Sequence, residues 1–146
     1  MVAAHPFGME VTPGPTIRQR PIQYPPDQRK WVREQTDALL EKGVIGPAPP
    51  DAHLHRIILV EGRPDRPAQS GQDYRLCTDF RAINARTKVD GFPAPDLAEC
   101  LRRLHNSSCF SSIDLKAGYH NVPVKDSCKR FCGFITQDGA YCYERL

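Results

Sequence analysis

Residues 75–84 read RLCTDFRAIN and are the most informative stretch of the chain for its fold. Together with Tyr74 before it, the stretch alternates apolar and polar residues as far as Phe80, which is the period of a half-buried β-strand. The apolar run IILV at 57–60 predicts a second strand upstream. Residues 61–73, which join the two strands, are long for a hairpin connection. We therefore predict that this connection is either functional or disordered.

Two helices are predicted on either side of these strands. Asp27 is a suitable N-cap for a helix over residues 28–42, which Gly43 ends. A second, short amphipathic helix is predicted over residues 95–105. Its apolar face would carry Leu97, Cys100, Leu101 and Leu104.

The remaining pattern predicts a further strand, a hairpin and an extended arm. Residues 108–114, SCFSSID, have the alternation of a strand that ends on Asp114. A hairpin follows over 130–146, in which the pair Asp138-Gly139 is suited to a two-residue turn with positive φ. Residues 1–26 end in the sequence PIQYPP and predict an extended arm, because proline fixes φ and removes a donor.

Composition limits the classes of function. With 146 residues, of which 40% are hydrophobic, the chain is one domain or part of one. The net charge is +3 and the charges are interspersed, so composition alone does not indicate a nucleic-acid partner. No apolar run approaches the roughly 20 residues that span a bilayer, and the N-terminus lacks the pattern of a signal peptide. We expect an intracellular chain, cytoplasmic or nuclear, without a membrane partner.

The six cysteines include no CxxC pair, so a disulfide framework is not expected. Most of them are predicted to be buried free thiols. The spacing of Cys100, His105 and Cys109 leaves a zinc knuckle open as an alternative, although a helix would point the first two apart.

Asp114 lies where a predicted apolar strand ends, directly before a turn with Gly118 and Tyr119. The ordinary interpretation is that an aspartate at this place starts a turn by bonding its own downstream backbone. The alternative is a functional carboxylate, which the other segments of the chain have to support.

Four segments in order carry a resemblance to a known family. They are GVIGPAPP at 43–50, RLCTDFRAINARTKVDGFPAPDL at 75–97, FSSIDLKAGYHNVPV at 110–124 and GFITQDGAYCYERL at 133–146. Together they resemble the N-terminal part of the reverse transcriptases of Ty3/gypsy-type LTR retrotransposons, which are Pol polyproteins. The resemblance covers most of residues 16–146 and implies an α+β class: an incomplete polymerase right-hand fold, with fingers and the first part of a ferredoxin-like palm.

The resemblance also implies a division of the chain. After the arm at 1–26, residues 27–89 are similar to the first part of the fingers and residues 90–121 to the first part of the palm, with the first catalytic aspartate. Residues 122–146 are similar to the return of the chain into the fingers, as a truncated hairpin. Because the last predicted strand ends on Leu146, we expect a fragment of a longer polyprotein.

The implied activity is RNA-directed DNA polymerisation: nucleotidyl transfer from a dNTP to a DNA primer on an RNA template, with two Mg²⁺ ions. By the resemblance, Asp114 is the catalytic carboxylate and a metal ligand, and the Leu115 carbonyl is a second oxygen ligand. The implied dNTP-binding residues are Arg75, Ala117, Gly118 and Tyr119.

Each implied dNTP contact has a physical rationale. The Arg75 guanidinium suits bidentate contact with the triphosphate, and the backbone N–H groups of Ala117 and Gly118 would face the same anion. The Tyr119 ring would exclude a 2′-hydroxyl and so select deoxyribose. The alternatives are an ordinary solvent-exposed strand arginine and an ordinary core aromatic.

The sequence also departs from the family pattern. Many relatives carry a lysine-rich turn where this chain has residues 61–73, and only Arg63 or Arg66 remain as substitutes for a second phosphate contact. No Asp-Asp pair occurs in the 146 residues, whereas the family places its other two catalytic aspartates in a Tyr-x-Asp-Asp turn. We therefore predict that the chain alone is inactive. Two alternatives stay open: a non-catalytic module that binds RNA, an RNA–DNA hybrid or a protein, and a relic without a role.

Overall fold

A computed structural model describes residues 5–61, 74–89, 91, 93, 95–115 and 117–146. The predicted connection over residues 61–73, with Arg63 and Arg66, lies outside the described residues except for Glu61. In chain order the elements are α1 (Pro26–Glu41), β1 (Ile45–Pro47), β2 (Leu54–Glu61), β3 (Tyr74–Thr78), α2 (Arg81–Asn84), α3 (Leu97–Arg103), a 3-10 helix (Gly118–Asn121), α4 (Asp126–Lys129), β4 (Gly133–Ile135) and β5 (Ala140–Tyr143). None of the helices in the described ranges is long and apolar enough to cross a membrane.

The strands form one mixed sheet with the order β1-β5-β4-β2-β3. The β2–β3 pair is antiparallel, with Ile57 opposite Thr78 and Glu61 opposite Tyr74, whereas β2 and β4 run parallel. The predicted α+β class is confirmed, and so are the strands expected around 57–60 and 74–80. The sheet unites strands from residues 45–78 with the hairpin after residue 132, so the two segments predicted as fingers share one sheet.

Helix α1 begins earlier than the sequence predicted. It starts at Pro26, where a proline is well tolerated because the first N–H groups of a helix have no intrahelical partner. Asp27 therefore lies within the first turn and is not the N-cap. At the other end Gly43 has a φ of 63°, which a residue without a Cβ adopts at little cost.

The main core lies between α1 and the sheet. It is built on Val32, Val44, Ile45, Ile57 and Phe134, all of them buried. Phe134 is fully buried and packs against the rings of Tyr141 and Tyr143. Because such a ring removes a large apolar area from water, truncating Phe134 to alanine is expected to cost about 3–5 kcal/mol.

The N-terminal arm is held to three separate parts of the domain by isolated β-bridges. Phe7 pairs with Val124, Val11 with Thr87, and Arg18 with Leu54. The guanidinium of Arg86 donates to the carbonyls of Thr12 at 3.0 Å and Pro15 at 2.8 Å. The described residues of the arm before α1 therefore connect segments that are distant in sequence.

The hairpin turn differs from the prediction. The register pairs Ile135 with Ala140, which leaves residues 136–139 as a four-residue loop. Neither Asp138 nor Gly139 has a positive φ. Instead, the hydroxyl oxygen of Thr136 accepts from the N–H groups of Asp138 at 3.0 Å and Gly139 at 3.1 Å. The Thr136 side chain thus organises the turn, and the expected two-residue geometry is not needed.

The prediction of a strand over residues 108–114 is wrong. Residues 107–115 are exposed and have no regular secondary structure. A strand requires a neighbour for its backbone hydrogen bonds, and no described strand lies beside this segment. Helix α3 forms, with the Asp96 side chain accepting from the Ala98 N–H at 3.0 Å, but none of its residues is buried.

Candidate functional site

Asp114 and Leu115 lie at the end of the exposed segment 107–115. The carbonyl of Leu115 accepts a hydrogen bond from the Gly118 N–H at 3.2 Å. The Gly118 N–H therefore bonds within the chain in this conformation, whereas the resemblance implied that it would face a triphosphate. Asp114 itself precedes the turn with its side chain open to solvent.

Ala117 stands at the centre of this turn in the left-handed region, with a φ of 50°. For a residue with a Cβ this conformation costs roughly 1–2 kcal/mol. Its carbonyl accepts from the His120 N–H at 3.0 Å and so starts the 3-10 helix. Ala117 thus combines a strained backbone with the start of the 3-10 helix that carries Tyr119.

Tyr119 is 79% exposed on the 3-10 helix. The alternative interpretation of Tyr119 as an ordinary core aromatic is therefore wrong. The residue lines a mostly apolar groove of about 540 Å³ between the 3-10 helix and the corner where β3 leads into α2. The groove is lined by residues that include Phe7, Phe80, Ile83, Tyr119, His120 and Tyr143.

Arg75 lies on β3, opposite Val60 of β2, and its side chain is exposed. Cys77, two residues further along the same strand, lines the Tyr119 groove. Side chains at positions i and i+2 of a strand point to the same face, about 7 Å apart. Arg75 thus shares a strand face with one residue of the groove, but neither Arg75 nor Asp114 is among the described residues that line it.

The Asp79-Phe80-Arg81 segment fixes the corner between β3 and α2. The Asp79 side chain is only 3% exposed and accepts a bidentate bond from Arg81, at 2.7 Å from Nε and 2.8 Å from Nη2. These hydrogen bonds hold the pKa of the Asp79 carboxyl at about 2. Phe80 packs on the ring of His55 with centroids 5.0 Å apart. The segment thus supports the groove, and its own carboxylate, Asp79, is already paired with Arg81.

The sequence did not indicate that Tyr143 would line the groove. Its hydroxyl is 3.1 Å from the Thr78 hydroxyl, which ties β5 to β3 across the sheet. Burial raises the pKa of Tyr143, so the phenol stays protonated. The alternation in residues 140–146, AYCYERL, predicts a strand, but it does not indicate that this strand contacts β3.

The described residues supply oxygen ligands of the kind that magnesium prefers, but too few of them. Asp114 offers one carboxylate and Leu115 one carbonyl, whereas octahedral coordination needs six ligands. Among the residues that the structure describes, no three histidines, cysteines, aspartates or glutamates are placed to hold a metal ion. By themselves these residues do not form a two-metal site.

The cysteines are all free. Cys100 and Cys109 of the spacing considered for zinc are exposed, as is Cys77. Cys128, Cys132 and Cys142 are buried, and burial raises the pKa of Cys132 to about 12. The prediction that most cysteines are buried is thus met by only half of them.

Comparison with known proteins places this chain among retroelement polyproteins. It is 33% identical over 131 residues to the retrovirus-related Pol polyprotein from transposon opus of Drosophila melanogaster, covering 89% of this chain and 13% of that protein. It is 30% identical over 131 residues to the enzymatic polyprotein of figwort mosaic virus, covering 90% and 19%. The chain thus spans less than a fifth of the length of these relatives. No family model matches it.

Solved structures show the same fold. The crystal structure of the prototype foamy virus protease-reverse transcriptase matches 99% of this chain and 18% of that one, with a TM-score of 0.74 and 20% identity. The foamy viral protease-reverse transcriptase in complex with dsDNA matches 100% of this chain and 29% of that one, with a TM-score of 0.70 and 20% identity. The chain therefore has the architecture of a segment of a reverse transcriptase.

Proposed function

Because the chain is a homologue of a segment of the Pol polyproteins of gypsy-type and other retrotransposons, we propose that it is the fingers and first palm segment of an RNA-directed DNA polymerase. In this role it binds the incoming dNTP and holds one carboxylate for nucleotidyl transfer. The observation that supports the proposal best is the exposed ring of Tyr119 on a groove beside β3, the strand that carries Arg75.

The chain's own residues would act on the nucleotide in three ways. Arg75 would donate two parallel hydrogen bonds to the triphosphate, because a guanidinium matches the geometry of phosphate oxygens. Tyr119 would lie under the sugar and leave no room for a 2′-hydroxyl. Asp114 would supply a carboxylate near the primer 3′-hydroxyl, and the remaining magnesium ligands would come from another part of the polyprotein.

A binding measurement tests the dNTP site directly. When dATP is added to the isotope-labelled chain, we expect backbone NMR shifts at β3 and at residues 117–121, and weaker shifts with ATP. Arg75→Gln is expected to weaken the response to both nucleotides, since it removes the cation. Shifts confined to other surfaces, or none at millimolar nucleotide, would contradict the dNTP site.

We also propose that the chain alone does not polymerise DNA, because one carboxylate does not organise two magnesium ions. Primer extension on a primed RNA template should give the same result as a control without protein. Asp114→Asn should give the same result again. Extension above the control that Asp114→Asn abolishes would overturn this proposal.

A second candidate function is binding of RNA or an RNA–DNA hybrid without catalysis. The solved relative in complex with dsDNA makes nucleic acid a reasonable partner for this segment. The observation in its favour on this chain is a cluster of three cations on one helix, Arg29, Lys30 and Arg33.

A further inference from the structure

Helix α3 has an apolar side that the described fold leaves exposed. Leu97, Cys100 and Leu101, with Leu104 at the C-cap, recur at the spacing of one side of a helix. We call these four residues the α3 face. Its leucines are 72%, 60% and 48% exposed in chain order, and no residue of the helix is buried. A row of exposed leucines indicates an interaction surface, because monomeric proteins rarely keep large apolar patches in contact with water.

The exposed apolar surface continues in the segment that follows α3, where Phe110 and Ile113 are mostly exposed as well. Burying a large apolar side chain removes on the order of 100 Å² from water, so the three leucines and these two residues supply roughly 400 Å² per chain. A specific interface buries about 600–1,000 Å² on each partner, and a little more than half of this area is apolar. The surface therefore has the size that the pairing of two copies requires.

The charges beside the α3 face favour a second copy of the same helix. Asp96 is the N-cap and Arg103 is the last residue of the helix. The two are seven positions apart, which places them on the same side of the helix, next to the α3 face. When two copies lie antiparallel about a two-fold axis, Asp96 of each copy comes opposite Arg103 of the other. The helix dipoles are then also opposed, whereas a parallel pair would bring like charges together.

Cys100 marks the centre of such a pair. It is the fourth of the seven residues Leu97–Arg103, and its thiol is free and exposed. In an antiparallel pair related by a two-fold axis, the central residue of each helix lies nearest the axis and therefore beside its own copy. The arrangement thus predicts that two Cys100 thiols come close together.

We propose that the α3 face is the interface of a symmetric dimer of this chain, in which two copies of α3 pack antiparallel. The interface closes at two copies, because the same surface of each chain is used on both sides of the axis. Its modest area fits a dissociation constant on the order of 10 μM, so the chain is a monomer in dilute solution. The inference goes beyond the proposed function and does not depend on it.

Sedimentation velocity of the 146-residue chain over a series of concentrations tests the dimer. We expect a reversible shift from monomer to dimer, and Leu97→Gln with Leu101→Gln should stay monomeric over the same series. A chain that is monomeric at every concentration would overturn the proposal and leave the α3 face to another protein or to a further part of the polyprotein. Growth beyond the dimer would overturn it as well, because it would show non-specific association.

Two neighbouring arginines provide a matched pair of variants. Arg102 and Arg103 both pair with Glu99, and their side chains are 73% and 78% exposed. Arg103→Glu would bring a carboxylate opposite Asp96 of the second copy, so the dissociation constant should rise several-fold. Arg102→Glu makes the same charge change on the side of the helix away from the α3 face and should leave dimerisation nearly unchanged. Equal effects of the two variants would contradict the antiparallel pair, and this comparison decides if the double leucine variant does not fold.

Chemical cross-linking tests the position of the axis. A short bismaleimide, which joins two thiols that lie close together, should convert the chain into a covalent dimer. Cys100→Ser should abolish this product, whereas Cys109→Ser, which removes another exposed thiol, should leave it unchanged. A covalent dimer that persists in Cys100→Ser would overturn the proposed arrangement. If the dimer proposal fails, the NMR shifts with dATP still test the proposed function separately.

Discussion

At the scale of the residue, the role of a carboxylate depends on the groups that surround it. Asp79 and Asp114 are both aspartates that follow an alternating run, yet Asp79 is held by Arg81 inside the fold and Asp114 is open to solvent. A carboxylate that already accepts a bidentate bond has little capacity left for a metal ion. The two environments therefore separate a structural aspartate from the candidate catalytic one.

The clearest prediction at the residue scale concerns Gly133 on β4. A Cβ built there would overlap the backbone carbonyl oxygen of His53, which has no room to move because β4 pairs with β2. Gly133→Ala is therefore expected to lower the free energy of unfolding by about 2 kcal/mol or more, measured by urea unfolding.

Gly46 on β1 is the matched control for this prediction. A Cβ at Gly46 would meet only the flexible end of the Glu144 side chain, at 3.2 Å. Gly46→Ala should change stability by about 0.5 kcal/mol or less. Similar losses in both variants would show that the close approach at Gly133 is not the cause.

At the scale of the element, α3 and residues 107–115 have the apolar patterns of buried elements, but their apolar side chains are exposed. Leu97, Leu101 and Leu104 share a face of α3, as the sequence predicted, and all three are exposed. Phe110 and Ile113, in the segment predicted as a strand, are exposed as well. A local pattern shows which face is apolar, but burial requires a second surface to pack against.

Because these side chains are exposed, we predict that replacing them changes the stability little. Leu97→Gln with Leu101→Gln should leave the free energy of unfolding within about 0.5 kcal/mol of the original chain, because little apolar area is buried by these side chains. The binding of a hydrophobic dye to the folded protein should decrease. Ile57→Ala, in the main core, should by contrast cost about 2–5 kcal/mol. A loss of that size in the double leucine variant would mean that α3 is packed.

At the scale of the whole molecule, the sheet and the arm bring distant segments together around two buried histidines. His53 and His55 lie on or next to β2, and His55 packs between the sheet and Phe80. Burial lowers the pKa of both imidazoles, with further lowering of His53 by the charges of Arg86 and Arg130 and of His55 by His53. The native state therefore favours neutral histidines.

We expect the free energy of unfolding to depend on pH in two ranges, an upper one due to the histidines and a lower one due to Asp79. Below the ordinary histidine pKa of 6.5 the unfolded chain binds protons that the native state does not, so the free energy of unfolding falls as pH falls. The Asp79 contribution is fully present above 3.8 and is lost as pH falls through about 2. Urea unfolding between pH 8 and pH 2 measures both ranges.

Two variants test which residue is responsible for each pH range. His55→Leu should flatten the pH dependence in the upper range and leave the lower one, while Asp79→Asn should do the opposite. A stability that rises as pH is lowered from 7 to 5 would contradict the histidine assignment.

The sequence by itself determined the family resemblance, the α+β class and the approximate positions of the main helices and strands. These features depend on local spacing and on motifs such as RLCTDFRAIN, which are complete within a few residues. Through that resemblance it also singled out Tyr119 and Arg75 as candidates for nucleotide contacts. The start of α1 and the geometry of the β4–β5 turn were less predictable, since Pro26 and Thr136 compete with other plausible signals.

Only the tertiary structure decided which residues act together. Residues 108–114 have a strand pattern, but none of the strands that the structure describes lies beside them, so the pattern does not produce a strand. The charges are interspersed along the sequence, yet the turn after β4 brings Asp138 against Arg29 and Arg33 across more than a hundred residues. The physical reason is that hydrogen-bond partners and charge clusters are set by long-range pairing, which the periodicity of a single segment does not contain.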